Sequence, residues 1–461
     1  MLNRINENGR GIAFAVDSEG RFVGLATDGD IRRALLKGAR MESGVGEWLN
    51  RDCVTALRGT AVERILALLD ERVRCVPILD EDGRPVDFAA LDQNYHLPVA
   101  EPSLTGRELE YVTDCIATNW ISSRGKYVDR FESDFAKLCG ARFAISTSNG
   151  TTALHLGLAA LGIGPGDEVI VPDLTFIATA NAVTYCGAKP VLVDVDPSTW
   201  TISAAAVEAA VTPRTRGVIP VHLYGHPADM SAINTIAGQH GLFVLEDCAE
   251  SLGARYRGRT VGTIGTAGCF SFYGNKTLTT GEGGMVVTND EELARRARLL
   301  RDHGMAPERR YVHPVVGFNY RLTNLQAAIG VAQLERIDEI FASKKRIDAS
   351  YRRFLAGLPG IELPPQADWA QPVCWLFSML VKDGSGPSRD KMLGALEERQ
   401  IGCRPLFHPL HLQPPYRESR SFPVSEDLAR RGLSLPSAVT LPDRSIEHVC
   451  AVITELVGRG A

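Results

Sequence analysis

From Leu104 onward, short apolar runs alternate with helix-patterned stretches at regular intervals, an order that points to a mostly parallel α/β sheet. The pattern predicts strands near 142–146, 168–171, 190–195, 218–223, 242–245 and 285–288, with helices such as 153–161 and 177–185 crossing between them. Leu325, Ala328, Ile329, Ala332, Ile337, Ile340 and Phe341 then form the apolar stripe of one long helix, of the kind that leads out of one domain into another. Beyond Gly360, a strand at 375–381 and helices at 390–399 and 446–457 read as a smaller α+β domain. The expected organisation is a large domain over 103–345 and a small one over 346–461.

One lysine stands out within this pattern. Lys276 sits in Ser271-Phe272-Tyr273-Gly274-Asn275-Lys276-Thr277, with Gly281, Gly283 and Gly284 close behind it. Cys269, Phe270 and Phe272 predict a buried strand, and the glycines let backbone approach a ligand. A lysine attacks a carbonyl only after losing its proton, which desolvation or a neighbouring positive charge favours. Taken alone, the stretch reads as a Gly-rich surface turn, so the rest of the chain must decide. Thr147-Ser148-Asn149-Gly150-Thr151-Thr152 joins a strand to a helix, where free N–H groups at a positive helix end form an anion site; an ordinary N-cap has the same composition. Glu246-Asp247-Cys248-Ala249-Glu250 places carboxylates at the carboxyl end of a strand, where α/β sheets hold their ligands, although Asp247 serves equally as a helix N-cap.

At 461 residues the chain is long enough for two or three domains, and 44% hydrophobic with 23% charged residues supports sizeable cores. A net charge of -5 creates no field that would attract nucleic acid or an anionic membrane, so neither is an expected partner. The ten cysteines lack C-x-x-C pairs and metal-ligand spacing and read as reduced core residues, with no metal expected. No signal sequence is read at Met1 and no run approaches a membrane span, which makes the cytoplasm the expected location.

Residues 1–92 have a different texture. A strand at 11–17, a second at 22–26 and a helix at 31–36 are echoed by a helix at 61–69 and strands at 75–79 and 86–90. The motif Gly24-Leu25-Ala26-Thr27-Asp28-Gly29-Asp30-Ile31 resembles that of CBS domains, and the unit resembles a degenerate pair of them. The resemblance implies that Thr27 and Asp30 would hold the ribose and phosphate of an adenine nucleotide. The second copy has Ala89-Ala90-Leu91-Asp92, with no matching threonine, and the first lacks the opening strand and helix of its kind. A structural or dimerising role is therefore expected of this unit. Pro98 and Pro102 mark a linker over 93–102.

The order of Gly/Thr turn, Phe176, Asp247 and Lys276, with Gly317-Phe318-Asn319-Tyr320-Arg321 beyond, resembles the DegT/DnrJ-type pyridoxal-phosphate sugar-nucleotide aminotransferases over residues 97–460. The resemblance implies a fold type I aminotransferase preceded by the small CBS-like α+β unit. It implies that Lys276 carries the cofactor and shuttles the proton, and that Asp247 pairs with the pyridine nitrogen. Gly150, Thr151 and Ser271 would hold the phosphate, Phe176 would lie on a ring face, and Glu250 would stand near the phenolic oxygen. Asn319 would reach the phosphate of a neighbouring subunit, because family sites are shared across a homodimer; the CBS-like unit offers a route to a higher oligomer. No role follows for His222, His303 or Cys248, which read as structural. The runs 120–123, 172–181, 221–230 and 374–378 are most similar to the branch that aminates GDP-4-keto-6-deoxymannose with glutamate. UDP- and dTDP-linked keto sugars are the alternatives. Related sugar dehydratases carry histidine at the lysine position, so Lys276 argues against that chemistry; a regulatory relic of the fold is the third reading, and every expected cofactor contact is present against it.

Overall fold

The computed structural model describes residues 12–27, 30, 31, 33, 34, 38, 44, 46, 49–69, 73, 75–90, 97–384 and 386–458. Asp28 and Gly29 of the first motif, half of the helix expected at 31–36, Leu91 and Asp92 of the second motif, and the first part of the expected linker lie outside the described residues. The chain divides into two compact units, Met1–Tyr95 and His96–Ala461.

In the first unit, strands β1 (Ile12–Val16) and β2 (Phe22–Thr27) pair antiparallel. Strands β3 (Ala56–Leu57), β4 (Cys75–Leu79) and β5 (Pro85–Ala90) form a second sheet, with β3 parallel and β5 antiparallel to β4. Phe14 packs edge-on against both Phe22 and Phe88. Among the described residues, Ala56, Ile65 and Val76 form the buried cluster on the second sheet, fringed by partly buried residues.

The second unit is organised on a seven-stranded sheet of β6 (Phe143–Thr147), β7 (Glu168–Pro172), β8 (Lys189–Val193), β9 (Thr215–Val218), β10 (Phe243–Asp247), β13 (Ala267–Ser271) and β14 (Gly284–Thr288), in the order β6-β14-β13-β10-β9-β7-β8. Between β10 and β13, the two-residue strands β11 (Arg255–Tyr256) and β12 (Arg259–Thr260) form a hairpin that β16 (Ala370–Gln371) extends. β14 alone runs against its neighbours, so the carboxyl ends of the other six strands share one edge. Successive strand residues face opposite cores, as the pleat requires. Val169, Val171, Leu245, Cys269 and Val286 meet the helices Gly150–Ala160, Ala178–Tyr185 and Glu291–Arg301. Ile170, Val244, Phe270, Met285 and Val287 meet Lys126–Cys139, Met230–His240 and Asn324–Glu335. Each such side chain contributes about 1.5–3 kcal/mol on burial, which is why these strands read as continuous apolar runs.

A four-stranded antiparallel sheet of β15 (Ile361–Glu362), β17 (Phe377–Val381), β19 (Gly432–Leu435) and β18 (Arg404–Pro405) follows. It packs on the helices Ile337–Leu355, Arg389–Glu398 and Asp443–Gly458 through Tyr351, Phe377, Met379, Met392, Leu433 and Ile453. Two expectations are corrected. The single long helix is two, Asn324–Glu335 and Ile337–Leu355, interrupted at Arg336, whose φ of -113° and ψ of 15° leave the helical region. The strand expected at 218–223 ends at Val218, because Leu223–Gly225 turns in a short 3-10 helix in which Tyr224 has φ 49°. Among the described residues, no helix is long and apolar enough to cross a membrane.

Candidate active site

Four loops leave the shared sheet edge and supply the candidate residues. After β6, Asn149 caps the helix Gly150–Ala160: its side chain accepts from the Thr152 N–H, and the Thr152 hydroxyl accepts from the Asn149 N–H. This reciprocal cap starts the helix three residues earlier than the sequence pattern suggests. It satisfies neither of the first two helical N–H groups, those of Gly150 and Thr151, and neither has a partner among the described residues. Gly150 must be glycine, since a Cβ there would lie 2.7 Å from the Ser271 Cβ at the end of β13. The Ser271 Oγ accepts a long bond from the Tyr273 N–H at 3.4 Å and donates to no described residue. Two free N–H groups at a positive helix end thus face a hydroxyl with an unused proton.

Asp247 ends β10 and is 5% exposed. Its Oδ2 accepts from the Thr179 hydroxyl at 2.8 Å and its Oδ1 from the Ala249 N–H at 3.1 Å. Burial nevertheless raises its pKa, outweighing those bonds and the Lys276 charge. A carboxylate held in this way lacks a strong cationic partner. Asp247 is not the N-cap of a regular helix, since none follows it. Glu250, also 5% exposed, is pushed up to about 7 by desolvation, against the lowering effects of Lys276 and of the Tyr224 N–H that it accepts at 2.9 Å.

Lys276 lies past β13 in a turn closed by its own N–H donating to the Tyr273 carbonyl. Its Nζ stands 3.6 Å from Glu250 Oε1 and 3.7 Å from the centre of the Trp375 ring. Desolvation lowers its pKa, overriding the opposing effects of Glu250 and Asp247, as a nucleophilic amine requires. Phe176 follows β7, is 55% exposed and packs against Phe407, with ring centres 5.7 Å apart.

Not every sequence candidate joins this group. Asn319 is exposed, bridges to Asp302 through its backbone, and has no contact with the Lys276 cluster within this chain. Thr27 and Asp30 belong to the other unit and bond to each other: the Thr27 hydroxyl donates to Asp30 at 2.7 Å, and Arg33 pairs with the same carboxylate at 2.6 Å. His222, Glu246 and Cys248 cluster within 4.8 Å, yet the lone pairs of Glu246 and His222 are taken. Glu246 accepts from the Gly262, Ile264 and Gly265 N–H groups and from His222 Nε2, while His222 Nδ1 accepts from the Ala228 N–H. Cys248 is buried beside them, and His303 is exposed with φ 59°.

Two contributors escape sequence reasoning. Thr179 reaches Asp247 across 68 residues of chain, with no local pattern to announce it. Trp375 lies 99 positions from Lys276; the sequence places it at the start of a buried strand and within the branch-like run 374–378, and neither signal points to the lysine.

The DegT/DnrJ/EryC1/StrS aminotransferase family model matches residues 102–454. The chain belongs to this family. GDP-perosamine synthase of Caulobacter vibrioides is 49% identical over 364 residues, covering 78% of this chain and 98% of that protein. The GDP-perosamine synthase of Escherichia coli O157:H7 is 45% identical, with 78% and 98% covered. The crystal structure of S. venezuelae DesV in complex with a ketimine intermediate superposes with a TM-score of 0.73 at 39% identity, covering 77% of this chain and 95% of that one. A CBS domain model matches residues 45–88, which take in β3, β4 and most of β5 but not the Thr27–Asp30 motif. As a DegT/DnrJ/EryC1/StrS aminotransferase the enzyme is pyridoxal-phosphate-dependent. The groups at the sheet edge suit that cofactor chemically: a desolvated amine, a buried carboxylate short of a cation, and free N–H donors at a helix start.

Proposed function

We propose that the enzyme transfers the amino group of glutamate to a nucleotide-linked 4-keto-6-deoxy sugar, with GDP-4-keto-6-deoxymannose as acceptor and GDP-perosamine as product. One observation carries the chemistry: the largely desolvated Lys276 amine stands beside Glu250, and among the described residues no hydrogen bond of ordinary length holds it. The choice of sugar rests on the 49% identity to a GDP-perosamine synthase over nearly all of that protein. Closely related keto sugars differ by a few pocket contacts, so UDP- and dTDP-linked acceptors remain the competing substrates.

Pyridoxal phosphate, when bound, supplies the aldehyde that takes up the amino group and a ring that accepts the electron pair. Lys276 would hold it covalently and, once displaced, carry the proton at Nζ. Asp247, oriented by Thr179 and Ala249, would stay ionised against a protonated ring nitrogen, since a facing cation offsets the burial that raises its pKa. The Gly150 and Thr151 N–H groups with the Ser271 hydroxyl would hold the phosphate. Phe176 would cover a ring face and Glu250 would stand by the phenolic oxygen. The exposed Asn319 side chain supports a site completed by a second subunit, and exposed Phe176 and Tyr273 give that site an open rim. In the first unit, the mutual bonding of Thr27 and Asp30 supports a packing role that raises the oligomer above a dimer, with at most weak binding of adenine nucleotides.

The deciding experiment incubates the enzyme with glutamate and a panel of GDP-, UDP- and dTDP-linked 4-keto-6-deoxy sugars and identifies the aminated product by mass. The GDP-mannose derivative is expected to react fastest; preference for a UDP or dTDP sugar would move the enzyme to another branch. Borohydride reduction of the holoenzyme followed by peptide mapping is expected to label Lys276, and label at any other lysine would overturn the assignment.

A further inference from the structure

Lys276 ends in an unusual environment for an amine. Among the described residues its Nζ makes no hydrogen bond of ordinary length; Glu250 Oε1 stands 3.6 Å away and the centre of the Trp375 ring 3.7 Å away. Trp375 is 4% exposed and grips the same turn a second time, because its indole N–H donates to the Asn275 carbonyl at 2.8 Å. One side chain therefore fixes both the backbone just before the lysine and the end of the lysine itself.

The tryptophan is in turn held from several directions. The Tyr224 ring stacks near it, with centres 6.1 Å apart and planes 10° from parallel, and Phe407 stacks on Tyr224 at 5.4 Å. Tyr224 adopts φ 49°, a strained backbone state for a bulky residue that persists only where its surroundings impose it. Its N–H donates to Glu250, and its hydroxyl accepts from the Phe407 N–H at 2.9 Å. The Trp375 carbonyl accepts from the buried Lys344 ammonium at 3.0 Å. Strain and polar bonds thus converge on one indole and the carboxylate beside it. Core packing alone would not require a cation to be brought onto that ring.

We propose that Trp375 is a positioning residue for Lys276, its indole face being the seat of the lysine ammonium whenever the amine is not joined to the cofactor. The proposal rests on the reading of Lys276 as the catalytic lysine. In a transamination cycle the lysine is released and must wait, protonated or ready to accept a proton, without wandering. A π-face attracts the ammonium but not the neutral amine, so it holds the charged form while leaving the nitrogen free of a hydrogen bond that would have to be broken before reaction.

The test replaces Trp375 site-specifically by mono-, di- and trifluorotryptophan, which keep the shape and weaken the π-face step by step. In the full-length apoprotein, competitive acetylation with acetic anhydride across pH, read by mass at the Lys276 peptide, gives the apparent pKa of that amine. Glu250 and Asp247, the charged groups facing Lys276, are unchanged throughout the series. The pKa is expected to fall with each fluorine, by about one unit, tenfold, over the series. Trp375→Phe, which retains a weaker face, should fall between the ends. A flat or rising series overturns the proposal, since packing alone is indifferent to fluorination. In the holoenzyme, the pH profile of kcat should shift in the same direction while KM for the sugar nucleotide changes less than about twofold. Borohydride labelling at another lysine would instead defeat the underlying reading, so the two failures are separable.

Discussion

The catalytic unit and the N-terminal unit each carry a short polar motif that resembles a ligand site, and the structure treats the two motifs differently. At the sheet edge the donors and acceptors are left open: among the described residues, the Gly150 and Thr151 N–H groups have no acceptor and Asp247 has no strong cation. In the N-terminal unit the equivalent groups are closed on themselves, with Thr27 donating to Asp30 by both hydroxyl and N–H, and Arg33 completing the carboxylate. The support differs as well. Large apolar clusters on both faces of a seven-stranded sheet hold the catalytic motif, whereas in the N-terminal unit the cluster on the second sheet has three buried residues among those described. Open polar groups persist only where a scaffold prevents their collapse onto one another, because each unmet buried group costs about 1–3 kcal/mol.

The largest expected effect breaks the open site. Asp247→Asn keeps the bond from Thr179 but removes the charge, and kcat is expected to fall by about two to four orders of magnitude, measured as glutamate-dependent product formation. Near-wild-type turnover would show that Asp247 only orders its loop. The equivalent change in the closed motif, Asp30→Asn, should leave kcat within about twofold.

The second prediction concerns the interior charge that only the large scaffold carries. Lys344 is buried, donates to the Trp375 and Ser437 carbonyls, and has its pKa lowered to about 8 by desolvation. With a folded pKa below the unfolded 10.5, the unfolded chain binds more protons between pH 8 and 10.5, so stability rises with pH across that window. The fall from 10.5 to about 8 corresponds to on the order of 3 kcal/mol. The difference in urea midpoint between wild type and Lys344→Met should therefore move in favour of the wild type as pH increases from 8 to 10.5. A pH-independent difference would mean that the ammonium is not desolvated.

The smallest effect belongs to the closed motif. A nucleotide must first break the Thr27–Asp30 pair, so calorimetry with AMP, ADP and ATP should show no binding tighter than about millimolar, near -4 kcal/mol. Light scattering of a chain starting near Leu97 should report a dimer, and that chain should be active. Micromolar AMP affinity that changes turnover would reverse the comparison and make the first unit a sensor.

Much of the catalytic unit was legible because its strands are buried on both faces and its ligand loops follow them directly. The runs that hold Gly150, Asp247, Glu250, Ser271 and Lys276 stand out locally, because each sits at or near a strand end or helix start, but their assignment came from the resemblance of the whole order to a known family. Periodicity failed where the backbone departed from it, at Arg336 between two helices and at Tyr224 in its left-handed turn, because an apolar stripe records which face is buried and not whether the helix is continuous. Local chemistry in the sequence determined which groups line the site. Tertiary structure alone decided what surrounds them. Thr179 meets Asp247 and Trp375 meets Lys276 only when distant segments fold over the same sheet edge, and contacts of that separation leave no periodic trace. The burial that raises the Asp247 and Glu250 pKa values and lowers that of Lys276 has the same origin, since desolvation is a property of the packed neighbourhood and not of any residue's own neighbours in the chain.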